Sequence, residues 1–231
     1  MAKMTKKAEA RRNEIVQKAQ ELFQQNGYAN TSVNQIISEL SISKGAFYHH
    51  FSSKLELLEE IVDRFTVTII ASIQPIIARA DLNPIEKLNE VFATSLSYKA
   101  DNIELIYTML KTYYSDENLL LRHKLRQHSF QATLPIMQAI FEEGKRAGCF
   151  QIQDSSSTAE MILLLGLGMS DRFAEILQQL PDNPDKFQNL ENLFTAYQQS
   201  IERILGAKTG LLIPLDFEIL GKLRKMYVSE N

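Results

Sequence analysis

Hydrophobic residues recur at helical spacing along nearly the whole chain, and no stretch alternates apolar and polar residues over the length of a strand. In the segment 6–26, Ile15, Ala19 and Leu22 share one stripe. Gly27 follows at the point where the end of a helix favours a left-handed residue. The pattern therefore predicts an all-α protein.

Capping signals predict where the helices begin. In the first 60 residues, a serine that can cap a helix precedes each of three helices: Ser32, Ser43 and Ser53. Later candidate caps are Asn83, Asp101, Ser115, Ser157 and Asn183. The predicted architecture is three short helices followed by six or seven longer ones, including a shorter helix after Pro214. We place the domain boundary at residue 52, between an N-terminal domain of residues 1–52 and a larger domain of residues 53–231.

The charge is distributed unevenly along the chain. Residues 1–54 carry eight Lys and Arg against four Asp and Glu, whereas the remainder carries 17 basic and 24 acidic residues. A basic N-terminal segment followed by an acidic remainder is typical of a phosphate-binding module attached to another domain, although chance clustering of solvated charges gives the same count.

The cysteine content, the apolar runs and the histidine pair bear on the cellular compartment and on metal or cofactor binding. Cys149 is the one cysteine, so no internal disulfide can form, and the longest apolar run, MILLLGLGM, is too short to span a membrane. We expect a cytoplasmic protein that has no cofactor and no membrane partner. His49 and His50 are adjacent and point about 100° apart on a helix, which disfavours a shared metal.

Residues 42–51 read ISKGAFYHHF. On a helix that begins at Lys44, Phe47 and Phe51 share one face, which we expect to be buried, and the histidines lie on another face. Two short helices joined by LSIS and held by a longer first helix form a tri-helical helix-turn-helix, whose last helix enters the major groove of DNA.

Two lysines occupy unusual positions in this segment. Lys44 and Lys54 each follow an N-cap, where the positive end of the helix dipole disfavours a cation by up to about 1 kcal/mol. An anion nearby would explain both, and backbone N–H groups with an ammonium form a phosphate site. Tyr48 and His50 add donors of the kind that position a duplex.

The stretch TSVNQIISELSISKGAFYHHFSSKLELL resembles the DNA-binding segment of the TetR family of bacterial transcriptional regulators. The resemblance extends over about residues 14–58, and the remainder is similar in architecture only. It departs from the family pattern at Ile37 and at Leu40-Ser41, where the family has Ala and Ala-Gly; Ser41 can adopt the left-handed conformation that this turn needs.

The resemblance implies which residues contact DNA. The positions implied to contact the DNA backbone are Thr31, Ser32, Lys44, Tyr48, His50 and Lys54. The positions implied to lie nearest the bases are Ser43, Gly45, Ala46 and His49. It also implies a homodimeric regulator without enzymatic activity, most simply a repressor that a small molecule releases from a palindromic double-stranded DNA operator.

Two further sets of residues are predicted in the larger domain. The candidate effector-pocket residues, which could equally fill the core, are Phe65, Phe92, Tyr107, Tyr113, Phe130 and Met137. The basic group at Arg122, Lys124 and Arg126 is either a solvated face or a contact for an anionic effector. The resemblance implies a four-helix dimer interface made by the last two main helices, with Gly166, Gly168, Leu190, Phe194, Tyr197 and Ile201.

The sequence weighs against two other functional classes. We find no nucleophile beside a base, no paired carboxylates and no cluster with metal-ligand spacing, which disfavours an enzyme. A structural or protein-binding helical bundle would leave the lysines at the helix starts unexplained.

Overall fold

The computed structural model describes residues 6–212, 220–222 and 225, which contain α-helices, short 3-10 segments and turns but no strand. The predicted all-α fold is therefore confirmed. The helices are α1 (Lys6–Asn26), α2 (Val33–Glu39), α3 (Lys44–Tyr48), α4 (Lys54–Ile73), α5 (Pro84–Asp101), α6 (Ile103–Tyr113), α7 (Leu119–Arg146), α8 (Ser155–Gln179) and α9 (Phe187–Ile204). Short 3-10 segments lie at Gln74–Ala78, Asp116–Asn118 and Pro184–Lys186.

The chain forms two compact units. The first contains the residues up to Val67 together with Glu104–Leu125, and the second contains Thr68–Ile103 together with the residues from Arg126 onwards. The division at residue 52 between a DNA-binding domain and the remainder concerns function, and it stays a prediction.

The first unit has a core of large apolar side chains from α1, α2, α3, α4 and α6. Phe47 and Phe51 are fully buried in it, with ring centroids 6.1 Å apart, as the spacing of these residues predicted. Each such side chain stabilises the fold by about 1.5–3 kcal/mol through its burial. The core therefore fixes the inner face of the short helix α3.

The predicted caps of the first unit are confirmed by hydrogen bonds. The hydroxyl oxygen of Ser32 accepts from the N–H of Gln35 at 3.1 Å, and Ser43 accepts from the N–H of Ala46 at 3.1 Å. Ser53 accepts from the N–H of residue 56 at 3.0 Å. Ser41 has φ of 51°, the left-handed conformation expected in the turn before α3.

The second unit has its own core, to which α5, α7, α8 and α9 contribute. Phe141 and Phe150 pack edge to face with centroids 5.8 Å apart. A Cβ atom on Gly144 would lie 2.1 Å from the Phe150 ring, so this position of α7 has no room for a side chain. The buried ammonium of Lys87 donates to the carboxylate of Glu143 at 2.7 Å, which ties α5 to α7.

Four predicted helix starts beyond residue 100 were wrong. Asp101 ends α5 instead of capping α6, because Asn102 forms the C-cap. Asp154, not Ser157, caps α8, and the Ser157 N–H donates to its carboxylate at 2.6 Å. Ser115 and Asn183 each precede a 3-10 segment without a side-chain cap bond. The cap predicted at Asn83 is confirmed, and it forms a capping box with Glu86. The helix predicted after Pro214 lies mostly outside the described residues.

One helical stretch, Lys54–Ala78, is long and apolar enough to cross a membrane by length and composition alone. Core helices of soluble proteins meet the same criterion. In this stretch Leu57, Leu58 and Ile61 are fully buried in the first core.

Candidate nucleic-acid interface

The outer face of α3 carries polar side chains and open backbone. Lys44, Gly45 and His49 are exposed, and Tyr48 is 54% exposed, although its neighbour Phe47 is fully buried. At Gly45 an added Cβ would meet only the Ser43 hydroxyl, at 3.9 Å, so the backbone here can approach another molecule closely. The structure thus brings together the predicted base-contacting face.

A charged network that sequence reasoning missed holds the end of α3. Arg12 on α1 donates to the backbone carbonyl of His50 at 2.7 Å, and its guanidinium lies 4.2 Å from the centroid of the Phe51 ring. A second guanidinium nitrogen of Arg12, Nη2, pairs with the carboxylate of Glu60 on α4 at 2.7 Å. Arg64 pairs with the same carboxylate at 2.7 Å. The partners of Arg12 are 38 and 48 residues away, so no local pattern in the sequence signals its contacts; the Glu60–Arg64 pair has local i,i+4 spacing.

The network sets the ionisation of Glu60. Burial alone would raise the pKa of this carboxyl group, but the hydrogen bonds and charges of Arg12 and Arg64 outweigh burial and lower the pKa below its ordinary value. Glu60 is therefore ionised near neutral pH, and it links α1 to α4 as a charged group.

His50 lies partly exposed beside this network. Burial, followed by the positive charges of His49, Arg12 and Arg11, lowers the pKa of its imidazole below the ordinary value. The neutral ring is therefore favoured at neutral pH, and an anion next to the ring would favour the charged form. The described residues contain no group of three His, Cys, Asp or Glu side chains arranged to hold a metal ion.

Lys54 does not face outwards as the sequence predicted. Its ammonium donates to the backbone carbonyls of Tyr28 at 2.8 Å and Thr31 at 2.9 Å, and it lies 3.4 Å from the carbonyl of Ala29. It also lies 4.2 Å from the centroid of the Tyr28 ring. The cation at the start of α4 is thus satisfied by the loop between α1 and α2, and no external anion is needed to explain it.

Thr31 is likewise an internal residue, only 1% exposed. Its hydroxyl lies 2.9 Å from the carbonyl of Gly27 and 3.2 Å from that of Leu22, so it donates into the end of α1. The Thr31 side chain therefore already has partners inside the protein, and the predicted contact of this residue with the DNA backbone stays a prediction. Ser32, the next residue, is exposed and keeps a hydroxyl proton to donate.

Similarity to known proteins identifies the family of this chain. Residues 15–61 match the family described as "Bacterial regulatory proteins, tetR family". Over 230 residues the chain is 30% identical to the HTH-type transcriptional regulator YuxN of Bacillus subtilis, which covers 94% of this chain and 78% of YuxN. The chain belongs to the TetR family.

Other relatives of this TetR-family chain match it less completely. The repressor KstR2 of Mycolicibacterium smegmatis is 35% identical over 86 residues, which is 37% of this chain and 42% of KstR2. The chain thus spans less than half the length of this relative.

Solved structures share the fold. SmeT, solved as a complex with triclosan, has a TM-score of 0.60 at 22% identity and covers 89% of this chain and 95% of its own. A regulator from Cytophaga hutchinsonii has a TM-score of 0.62 at 17% identity and covers 83% and 95% of the two chains.

The candidate pocket residues of this TetR-family chain are divided between the two units. Phe65, Tyr107 and Tyr113 belong to the first unit, and Phe92, Phe130 and Met137 belong to the second. Met137 is fully buried among the core residues of its unit, so it fills the core, whereas Phe92 packs at the edge of that core.

The basic group on α7 has partners within the protein. Lys124 pairs with Glu59, and Arg126 makes hydrogen bonds of 2.7 and 2.9 Å to the carboxylate of Asp171. The Arg122 guanidinium lies 5.1 Å from the centroid of the Tyr114 ring. These contacts favour the interpretation of this group as a solvated, ion-paired face over an anion site.

Most of the residues predicted at the dimer interface pack within one subunit. Leu190, Phe194 and Ile201 are buried within their own unit, so their side chains cannot meet a second copy without a rearrangement. A Cβ atom on Gly166 would lie 2.8 Å from the Tyr197 hydroxyl of the same chain. This set therefore packs α9 against α8 inside one subunit.

The other side of α8 carries an exposed apolar surface. Met161 and Leu164 are 59% and 53% exposed, and Leu165 is exposed beside them. Gly168 lies on the same side, and a Cβ added there would meet nothing within 4 Å. Of the predicted interface residues, only Gly168 lies on this open face of α8.

Proposed function

We propose that this TetR-family transcriptional regulator is a homodimeric repressor that binds a palindromic DNA operator and is released by a small molecule. The observation that carries the proposal is the outer face of α3, where exposed polar groups stand on a helix whose inner face is locked into the core. Such a helix can enter the major groove without disturbing the fold.

The exposed groups divide into two kinds of contact. We assign phosphate contacts to Ser32, Lys44, Tyr48 and His50, and base contacts to Ser43, Gly45, Ala46 and His49. Thr31 and Lys54 instead stabilise the fold of the first unit through hydrogen bonds to backbone carbonyls. A phosphate beside His50 would raise the pKa that burial and the cationic neighbours lower, which makes this residue responsive to binding.

Repression and release by a ligand are supported by related proteins. KstR2 and DhaR, both matched through part of their length, are transcriptional repressors. SmeT, which shares the fold, is the repressor of a multidrug efflux pump and was solved with triclosan. All are transcriptional regulators, which supports a role in the bacterial cytoplasm without enzymatic activity.

For the dimer we propose the open face of α8. Met161, Leu164 and Leu165 form an exposed apolar stripe of the kind that marks an interaction site, and Gly168 lets a second helix approach closely. A homodimer also supplies the two α3 helices that a palindromic operator needs, about 34–36 Å apart for adjacent major grooves.

The test of DNA binding uses the DNA upstream of the gene, with fluorescence anisotropy measured at several salt concentrations. We expect tight binding whose logarithm falls linearly with the logarithm of salt concentration, because counterions are released from phosphates. Lys44→Ala should reduce that slope by about 1.8, because a dimer loses two phosphate contacts, and His49→Ala should change which base pairs are preferred. Binding that is independent of salt would contradict the proposal.

A further inference from the structure

The helix that we place in the major groove, α3, is too short to be stable on its own. It has five residues, Lys44–Tyr48, and an isolated helix of this length does not persist in water. Phe47 and Phe51 anchor its inner face in the core of the first unit. Because both anchors lie on one face, the direction of the helix axis depends on contacts at the two ends of α3.

The two ends of α3 are held by different parts of the chain. At the start, the hydroxyl oxygen of Ser43 accepts from the N–H of Ala46, so this cap is local. In the turn after the last residue, the backbone carbonyl of His50 accepts from the guanidinium of Arg12 on α1 at 2.7 Å. A cation at this end also offsets the negative end of the helix dipole. The C-terminal cap of α3 therefore comes from another helix.

Arg12 is itself held in one orientation. Its Nη2 atom pairs with Glu60 on α4 at 2.7 Å, and its guanidinium lies 4.2 Å from the centroid of the Phe51 ring. Arg64 pairs with the same carboxylate at 2.7 Å and donates to the side-chain oxygen of Asn13, the residue after Arg12, at 2.8 Å. A planar guanidinium donates in two fixed directions at once, which a single ammonium cannot reproduce. These contacts fix where Arg12 meets the end of α3.

The end of α3 that Arg12 holds carries proposed DNA contacts. His49, which we assign to a base, immediately precedes the residue whose carbonyl is bonded, and His50 itself is assigned to a phosphate. Base contacts need hydrogen bonds of the right length and direction to base edges, whereas binding to phosphates depends mainly on charge. A small change in the direction of α3 would therefore weaken specific binding more than non-specific binding.

We propose that Arg12 is a positioning residue for base recognition, which sets the direction of α3 through the His50 carbonyl without contacting DNA. The proposal rests on the proposed function, because it assumes that α3 enters the major groove. Two other roles for Arg12 predict different results. An arginine that binds phosphate would affect the salt dependence of binding to any DNA. An arginine that only stabilises the fold would lower the melting temperature and leave sequence preference unchanged.

The first test is Arg12→Lys, which keeps the charge and loses the forked geometry. Fluorescence anisotropy is measured on the DNA upstream of the gene and on a scrambled DNA of the same length and composition. We expect the ratio of the two affinities to fall by about 10-fold, because a loss of about threefold in each half-site multiplies over the dimer. The matched control is Arg11→Lys on the same helix, whose ion pair with Glu14 is local and exposed, and we expect it to leave the ratio unchanged.

Arg12→Met separates positioning from phosphate binding. We expect it to lower the affinity ratio as Arg12→Lys does and to leave the salt slope unchanged. A slope lower by about 1.8 on both DNAs would show that Arg12 neutralises one phosphate in each subunit, and it would overturn the inference.

Hydrogen exchange of the free protein tests the inference without DNA. The amides of His49, His50 and Phe51 donate to carbonyls within α3, so their exchange reports the order at the end of this helix. Arg12→Lys should speed their exchange by about 10-fold, because one charge-assisted hydrogen bond is weakened. The amides of α2, in the same unit, should exchange as before, which distinguishes a local change from a general loss of stability.

Two further results would overturn the inference: an affinity ratio that is unchanged in Arg12→Lys although the unmodified protein prefers the upstream DNA, or unchanged exchange of the three amides at the end of α3. An unmodified protein that does not distinguish the two DNAs would instead refute the proposed function. The hydrogen exchange then still shows whether Arg12 orders the end of α3.

Discussion

Replacing Lys54 by methionine is the most informative test of the DNA-binding unit, because sequence and structure assign this lysine different roles. Lys54→Met keeps an apolar stem of similar length and removes the ammonium. The carbonyls of Tyr28 and Thr31, now 2.8 and 2.9 Å from that ammonium, would lose a charged donor. The phosphate interpretation predicts weaker DNA binding, and the structural interpretation predicts a weaker fold.

The size of the effect follows from these contacts. A buried hydrogen bond to a charged group contributes about 1.5–3 kcal/mol, and an exposed contact with an aromatic face adds about 0.5–1 kcal/mol. Since Lys54 is only partly buried, water can replace part of the lost bonding. We therefore expect a loss of about 2 kcal/mol, or about 4–8 °C in melting temperature for a chain of this size.

The assay has a stability arm and a DNA arm. Circular dichroism gives the melting temperature, and hydrogen exchange of the amides in α1 and α2 shows whether the loss lies in the first unit. Anisotropy at several salt concentrations should give an unchanged salt slope. Lys44→Ala is the matched control, since Lys44 also begins a helix but is exposed. We expect the reverse result: unchanged stability and a slope lower by about 1.8, one phosphate contact from each subunit of the dimer.

The reasoning would be refuted if Lys54→Met melted like the unmodified protein and the salt slope of the dimer fell by about 1.8. That combination would mean that Lys54 leaves the loop carbonyls and neutralises a phosphate in the complex. Unchanged stability with an unchanged slope would equally refute the structural role.

Three other predictions test the frame and the dimer. Gly166→Ala should destabilise the protein by about 1–3 kcal/mol, and Tyr197→Phe should relieve this in the double variant by removing the hydroxyl that lies 2.8 Å away; equal melting temperatures of the single and double variants would contradict it. Leu164→Asp should give monomers by sedimentation and lose operator binding, and a persistent dimer would place the interface elsewhere. Because the pKa of Glu60 is lowered in the folded state, its contribution to the free energy of unfolding is present above the ordinary pKa of 4.5 and is lost as pH falls through the folded pKa. Glu60→Gln should flatten this loss of stability in acid titrations followed by circular dichroism. An unchanged titration would argue against the network.

The features that sequence reasoning predicted correctly depend on local chemistry. The caps at Ser32, Ser43 and Ser53 each bond an N–H three residues later, so their spacing alone identifies them. The left-handed conformation of Ser41 follows from the need to turn between two short helices. Local signals fail where two candidates compete. Asp154 and Ser157 are three residues apart, and only the structure shows that the carboxylate accepts from the serine N–H.

The interface residues show a different limit of sequence reasoning. The stripe of Leu190, Phe194 and Ile201 correctly predicts that one face of α9 is covered. Periodicity cannot tell whether the cover is another helix of the same subunit or a second copy, because both bury apolar surface equally well. The packing of Tyr197 against Gly166 decides for the same subunit. Which element covers a helix face depends on the tertiary structure. Because α8 covers this face of α9, we propose the opposite side of α8 as the dimer surface.

The same distinction separates the two lysines that begin helices. Lys44 and Lys54 share one signal, a cation where the helix dipole disfavours it, and we expected one explanation for both. For Lys54 the offsetting partners are carbonyls 23 to 26 residues earlier in the chain, so the unfavourable dipole is balanced inside the protein and the loop before α2 is held in place. For Lys44 the structure provides no such acceptor among the described residues, and the side chain is exposed on the outer face of α3. The unfavourable position of Lys44 therefore remains to be balanced from outside, which makes it, of the two, the lysine to expect against a DNA phosphate.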